Sequence, residues 1–385
     1  MKPEKLLEEK SLRGGLLCLA MAPLAGLHFL GLELYLLPYR LGIRKRYRLP
    51  VPVIAIGNLS SGGTGKTPMA ALVGRLLRDE GLRVVLLSRG HGGSHEREPG
   101  AKIVSRGEGT LLLSAEVAGD EPTLLAQLLP DVPVIVGRDR RVSGALACAE
   151  FAPDVLLLDD ALQFWQLHRD LDIVLLDARR PFDNGWMLPR GLLREPPFHL
   201  RRAGIVVLTR ADQVSGEALE SAKKLVQRLA PQAALFTATH APTAWVSRTG
   251  GQKPLENLAG QDVVAFSGIA DGAAFLHSLE QLQLSLKFSC EFGDHHTYNK
   301  EETLALIAQA PQGTFVTTEK DLTRLLQLWP VEGPPLWALR IQMQVADQES
   351  FRRKLNWFYG RPREETQQHK ATKPEPSAKE SGGDG

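Results

Sequence analysis

The segment from Val51 to Thr67 constrains the fold more than any other part of the chain. Val51-Pro52-Val53-Ile54-Ala55-Ile56 is an apolar run of strand length. Gly57 to Gly65 reads as a loop. Thr67 then opens a helix, with Pro68 where proline is tolerated. Glycines let such a loop turn its backbone N–H groups inward, and the helix N-terminus adds positive potential. A lysine placed like Lys66 reaches the β- and γ-phosphates of a nucleotide, and a threonine placed like Thr67 ligates magnesium. Ser60, Ser61, Gly62, Gly63, Thr64, Gly65, Lys66 and Thr67 are therefore the candidate nucleotide-binding residues, with ATP and Mg2+ as ligands. The strict pattern G-x-x-x-x-G-K-[ST] wants glycine where Ser60 stands. A glycine-rich turn that binds nothing is the bland alternative, and the strand–loop–helix context weighs against it.

Short apolar runs alternate with helical stretches along the chain. Strands are expected at Val51–Ile56, Arg83–Ser88, Val132–Val136, Val155–Leu158, Ile173–Leu176 and Ile205–Leu208. Helical spacing lies between several of them, as at Met69–Glu80 and Ser143–Phe151. Apolar strands alternating with helices imply a mostly parallel sheet covered on both faces. The fold class is α/β, P-loop NTPase-like. A second set of strands, at Val263–Phe266, Thr314–Thr317 and Leu336–Val345, implies a smaller α/β C-terminal domain. Polar and glycine residues gather near Ala241–Lys253. The expected domains are thus residues 1–48 (N-terminal helix and basic turn), 49–245 (P-loop domain), 246–362 (C-terminal domain) and 363–385. The last segment lacks any apolar period and reads as a disordered tail.

Val155-Leu156-Leu157-Leu158 ends in Asp159-Asp160. Carboxylates at the C-terminal edge of a parallel sheet, where ligands bind, form a Walker B arrangement that can hold magnesium. Asp120-Glu121 sits between Gly119 and Pro122. Helix capping explains it as well as a base or a second metal ligand does. Asp294-His295-His296 follows Phe292-Gly293. Paired histidines are more often surface or packed residues than catalytic ones, yet an imidazole can share a proton with a carboxylate. Arg190, Arg194 and Glu195 lie in a loop-rich stretch, where arginines suit phosphate recognition and a solvated loop is the plain alternative. Asp212 in Thr209-Arg210-Ala211-Asp212 reads as a helix cap and does not imply GTP.

From Gly14 to Leu32 there is no charged residue, and Arg40, Arg44, Lys45, Arg46 and Arg48 follow. An apolar stretch trailed by cations reads as a membrane-associated helix with its basic end in the cytoplasm. A buried helix with a solvated basic turn is the alternative. The net charge of +2 gives no global field for nucleic acid. Cys18, Cys148 and Cys290 are far apart and lack metal-ligand spacing, which points to a reducing compartment.

Taken in order, these blocks resemble the tetraacyldisaccharide 4'-kinase family, the lipid A kinases of Gram-negative bacteria, from about Leu16 to Tyr359. The resemblance rests on Gly57–Pro68, Ser88-Arg89-Gly90, Gly119-Asp120-Glu121-Pro122, Leu158-Asp159-Asp160, Arg169-Asp170-Leu171-Asp172, Leu192–Pro196, Phe266–Ala270, Asp294-His295-His296 and Thr317-Thr318-Glu319-Lys320-Asp321. Ser60 in place of glycine is this family's habit.

The resemblance implies transfer of the ATP γ-phosphate to the 4'-hydroxyl of a tetraacylated glucosamine disaccharide 1-phosphate, giving lipid IVA. It implies Asp120 paired with a histidine, His295 favoured over His296, with Lys66 also catalytic. It implies Thr67, Glu121, Asp159 and Asp160 around magnesium, and Arg89, Arg140, Arg194 and Glu195 on the substrate side. The expected setting is a monomer at the cytoplasmic face of the inner membrane, with a lipid partner and no nucleic acid. Two stretches depart from the family pattern. Ala161-Leu162-Gln163-Phe164 stands for Gly-Phe-Gln-His, and His91 stands for tyrosine. The loop is also similar to that of ParA/MinD-class switch ATPases, but Ser61 replaces their signature lysine.

Overall fold

The computed structural model describes residues 12–359. The expected tail from residue 363 lies outside the described residues. The strands are β1 (Val53–Asn58), β2 (Val84–Ser88), β3 (Lys102–Ser105), β4 (Val134–Val136), β5 (Val155–Leu158), β6 (Leu171–Asp177), β7 (Ile205–Thr209), β8 (Ala234–Ser247), β9 (Gln252–Lys253), β10 (Asp262–Ser267), β11 (Ser285–Glu291), β12 (Thr314–Thr318) and β13 (Leu336–Val345). They join in one sheet of order β11-β10-β12-β13-β8-β7-β6-β1-β5-β2-β4-β3, with β9 paired to β8. Pairing is parallel except for β3 with β4, β8 with β13 and β8 with β9.

β1 lies between β5 and β6, and all six of its residues are buried. A strand covered on both faces cannot alternate polar and apolar residues, which is why it reads as a continuous run. The helix Lys66–Asp79 packs Met69, Val73, Leu76 and Leu77 onto one face of the sheet, in the same core as Ile54, Ile56 and Leu157. The other face is covered by Leu59, Leu162, Val174, Leu176, Val206 and Leu208 on one side of β1, and by Val53, Ala55, Leu156 and Leu158 with Ala147 on the other. The C-terminal strands carry a core of their own around Phe266, Phe315, Trp329 and Leu336.

β8 serves both groups of strands. Ala234–Thr237 pair parallel with β7, and Ala238–Ser247 pair antiparallel with β13. The polar segment near Ala241–Lys253 is thus strand up to Ser247, followed by a turn before β9.

The N-terminal helix spans Leu12–Arg40, and the Leu19–Arg40 part is long and apolar enough to cross a membrane. It is moored to the body on one side. Ala25, Leu36 and Tyr39 are buried, His28 Nδ1 lies 2.9 Å from the Leu188 carbonyl, and Phe29 packs edge-on to Phe198. Leu19, Leu24, Leu27, Leu30, Leu34 and Leu37 remain exposed. The basic turn is partly docked: Arg46 lies over the Trp165 ring and Arg44 over that of Tyr39.

Candidate active site

The loop after β1 is closed from within. Asn58, fully buried, donates from Nδ2 to Thr64 Oγ1 at 2.9 Å and to the Gly62 carbonyl at 3.4 Å. Arg210 at the end of β7 donates to the Gly63 carbonyl at 2.7 Å and pairs with Asp177 at 2.5 Å. Gly65 caps the following helix at φ +87. A Cβ there would lie 2.2 Å from His240 Nε2 and 2.7 Å from Met343 Cε, so glycine is required on two counts. Burial holds His240 down at about 4, which keeps this imidazole neutral beneath the loop.

Lys66 begins the helix, with Nζ 3.5 Å from Asn58 Oδ1 and 3.9 Å from Asp160 Oδ1. Asp160 sits at φ +45, and both its oxygens lie 3.3 Å from Arg194 Nη1. Arg194 also donates to Asn58 Oδ1 at 2.7 Å and to the Ser60 carbonyl at 3.3 Å. It therefore braces the loop and the Walker B turn together.

Asp159, directly after β5, is buried, and its Oδ1 has no hydrogen-bond partner. Burial, with the charges of Glu121 and Asp160, pushes its carboxyl up to about 7, against the pull of Lys66 and Lys320. An orphaned, buried carboxyl oxygen within the field of the loop lysine is where a cation fits. Among the described residues no three His, Cys, Asp or Glu side chains group closely enough to hold a metal by themselves. Magnesium suits such a site, since it takes one or two carboxylates and draws its other ligands from phosphates and water. Arg140, also buried, donates to the carbonyls of Gly137 at 2.9 Å and Asp159 at 3.4 Å, supporting the end of β5 through its backbone. Burial lowers its guanidinium to about 10.

Asp120 and Glu121 open the helix Asp120–Leu128, whose N-cap is Gly119 with no side-chain cap. Capping therefore does not account for either acid. Asp120 Oδ2 lies 3.5 Å from His295 Nδ1 and 2.6 Å from Arg324 Nη2. Burial raises its carboxyl, but the hydrogen bonds and charges of His295 and Arg324 outweigh this and hold it below the usual aspartate range. Glu121 accepts from Lys320 Nζ at 2.5 Å, and chiefly that charge lowers it to about 2.

The two histidines separate. His295, at φ +54, faces Asp120, with the His91 ring edge-on to it at 5.4 Å. His296 instead stacks on Phe292 and lies 3.3 Å from Glu302.

Arg89 is half exposed and pairs with Glu96 at 2.7 Å, and Glu96 also meets His91, whose ring packs on His295. Glu195 is fully buried rather than open to a ligand. Its carboxylate binds Arg202 at 2.5 and 2.9 Å, His199 at 2.7 Å and Gln163 at 3.1 Å. His199 in turn meets Glu33 at 2.9 Å and Arg40 at 2.6 Å, so Glu195 anchors the N-terminal helix to the body.

The family model for tetraacyldisaccharide-1-P 4'-kinase matches residues 17–358. The chain belongs to this family. Among its relatives, the tetraacyldisaccharide 4'-kinase of Desulfatibacillum aliphaticivorans is 39% identical over 325 residues, covering 81% of this chain and 85% of the relative. That of Geobacter metallireducens is 42% identical over 309 residues, covering 79% and 88%. The crystal structure of LpxK from Aquifex aeolicus, solved in complex with ATP, superimposes with a TM-score of 0.72 at 32% identity, covering 89% of this chain and 99% of that one. Family membership sets the switch-ATPase alternative aside.

The departure after β5 is accommodated at Ala161 and Leu162. Ala161 is buried and is not among the positive-φ residues, so no glycine is needed there. Leu162 fills core beside Leu59, and Gln163 donates to the Asn58 carbonyl at 3.0 Å. Sequence reasoning assigned no role to Arg324, Lys320, Arg210 or Asn58. The Thr317–Asp321 block was the one available signal for Lys320.

Proposed function

We propose that this chain transfers the γ-phosphate of ATP to the 4'-hydroxyl of a tetraacyldisaccharide 1-phosphate, producing lipid IVA at the cytoplasmic face of the inner membrane. The observation that carries the reading is Asp120 facing His295 beside the acids and lysine of a phosphate loop. The loop amides and Lys66 receive the phosphates. Thr67 and Asp159 would hold Mg2+, with Asp160 beside them and Glu121 within reach once it leaves Lys320. Bound there, the ion would neutralise charge growing on the phosphoryl oxygens.

Asp120 takes the proton from the sugar hydroxyl as the oxygen–phosphorus bond forms, and the ADP oxygen leaves with the electrons of the broken bond. An aspartate held below its usual range is a weak base but is fully ionised at neutral pH. Phosphoryl transfer through a loose transition state asks for little base strength and for accurate placement. His295 orients Asp120 and shares its proton. Arg194 fixes Asp160 and the loop. The exposed leucines of the N-terminal helix sit in the membrane surface, which brings acyl chains and phosphate donor to one level.

The test is incubation with ATP, Mg2+ and the lipid disaccharide in detergent micelles. A 4'-phosphorylated lipid is expected. Release of inorganic phosphate without a lipid product would overturn the reading.

A further inference from the structure

The short helix Glu319–Leu325 follows β12 in the C-terminal half and delivers two cations, four residues apart, to the acids of the P-loop half. The two are held differently. Arg324 is pinned: besides Asp120, it donates at 3.0 Å to the Gly268 carbonyl and at 3.0 Å to Asp321. Asp321 is itself fully buried and held by Tyr298, Thr318 and the Gly268 amide. Lys320 bonds Glu121 at 2.5 Å, and 26% of its side chain remains exposed. Glu121 and Asp159 each sense both Lys320 and Lys66. Two lysines from opposite halves of the molecule therefore flank the same two carboxylates.

This inference rests on the kinase reading. We propose that Lys320 is a second phosphate-contacting lysine, which exchanges Glu121 for the γ-phosphate when Mg2+ and nucleotide occupy the site. The charge balance motivates the exchange. Without nucleotide, Lys320 is tied to Glu121 at 2.5 Å, and Lys66 stands 3.9 Å from Asp160. A divalent cation arriving at Asp159 and Glu121 weakens the hold of Glu121 on Lys320, and the phosphates supply a replacement anion close by. Lysine suits this exchange because its ammonium is a point charge on a flexible stem, whereas a guanidinium is geometrically committed. A purely structural tie gives lysine no advantage here, since well-packed apolar residues often replace a buried ion pair without loss of stability. The contact also carries information between the halves: the C-terminal half senses whether a third phosphate is present.

Calorimetric titration of wild type, K320M and K320Q with Mg2+ and either a non-hydrolysable ATP analogue or ADP tests this. Loss of one charge-assisted hydrogen bond is expected to weaken the analogue by at least about tenfold, while ADP changes by less than about threefold. Equal losses for both nucleotides, or no loss, would show that Lys320 only ties the halves together. K320Q keeps most of the side-chain volume and is read in the same way if K320M proves poorly folded. No lipid is present, so the outcome is separate from that of the kinase assay. A preference for the triphosphate lost in both variants stands even if wild type yields no lipid product.

Discussion

Oδ2 of Asp120 is held by a histidine and an arginine that both come from the far half of the chain: His295 Nδ1 at 3.5 Å and Arg324 Nη2 at 2.6 Å. The proposed base therefore exists as a placed group only when the two halves are docked. D120N should lower kcat by about 10²- to 10⁴-fold, the usual range for a positioned acid or base. H295N should lower it too, with nucleotide affinity retained in both. H296N should stay close to wild type, because His296 packs on Phe292 away from Asp120. Steady-state kinetics on the three variants checks this, and a larger loss in H296N than in H295N would reverse the assignment.

Glu195 offers a pH-dependent test. Burial raises its carboxyl, but hydrogen bonds from His199 and Arg202 dominate and bring it to about 2, against about 4.3 for an unfolded glutamate. A carboxyl lowered on folding stabilises fully above its unfolded value and loses that contribution as pH falls toward its folded value. E195Q should cost about 3 kcal/mol at pH 7, since it removes the buried charge that Arg202 and His199 share, while Arg202 keeps Asp172 at 3.5 Å. The gap to wild type should narrow below about pH 4.3. Urea denaturation across pH reads both effects. A raised KM with unchanged stability would instead make Glu195 a substrate residue.

G65A should abolish nucleotide binding. Left-handed backbone at an alanine and the clash with His240 together cost about 2–4 kcal/mol. The double variant G65A/H240A should regain part of the stability, because the overlap with His240 is gone and only the flexible end of Met343 still has to shift, but not the binding. Thermal melts with and without nucleotide separate the two effects.

L27Q, L30Q and L34Q together alter one exposed face of the N-terminal helix, where these side chains are 64%, 52% and 58% exposed. Each leucine sunk into acyl chains contributes roughly 1.5–3 kcal/mol, so the triple variant should move from vesicle pellet to supernatant. Its melting temperature in detergent should hold, since Ala25 and Leu36 on the moored face are untouched. Full retention on vesicles would contradict a membrane role for this face.

The central strands were legible because burial on both faces writes them as unbroken apolar runs. Val155–Leu158 and Leu336–Val345 match their observed bounds. β11 was missed because it lies at the sheet edge with Ser285, Lys287 and Phe288 exposed. β8 was missed because its residues are mostly half-buried and its pairing partners change midway. In the site, the loop, the Walker B acids and Asp120 were readable from local spacing. Arg324 was not, because its partner is 204 residues away. Nor could sequence show that Glu195, adjacent to Arg194, is buried in an ion cluster with Arg202 and His199.

The handover at Thr237 and Ala238, where β8 leaves β7 and joins β13, has a mechanical consequence. Two lobes threaded on a limp tether can swing apart at little cost. Here the tether is itself a hydrogen-bonded slat of the sheet. Drawing Asp120 away from Arg324 would therefore strain a hydrogen-bonded slat, where a free linker would give way without resistance.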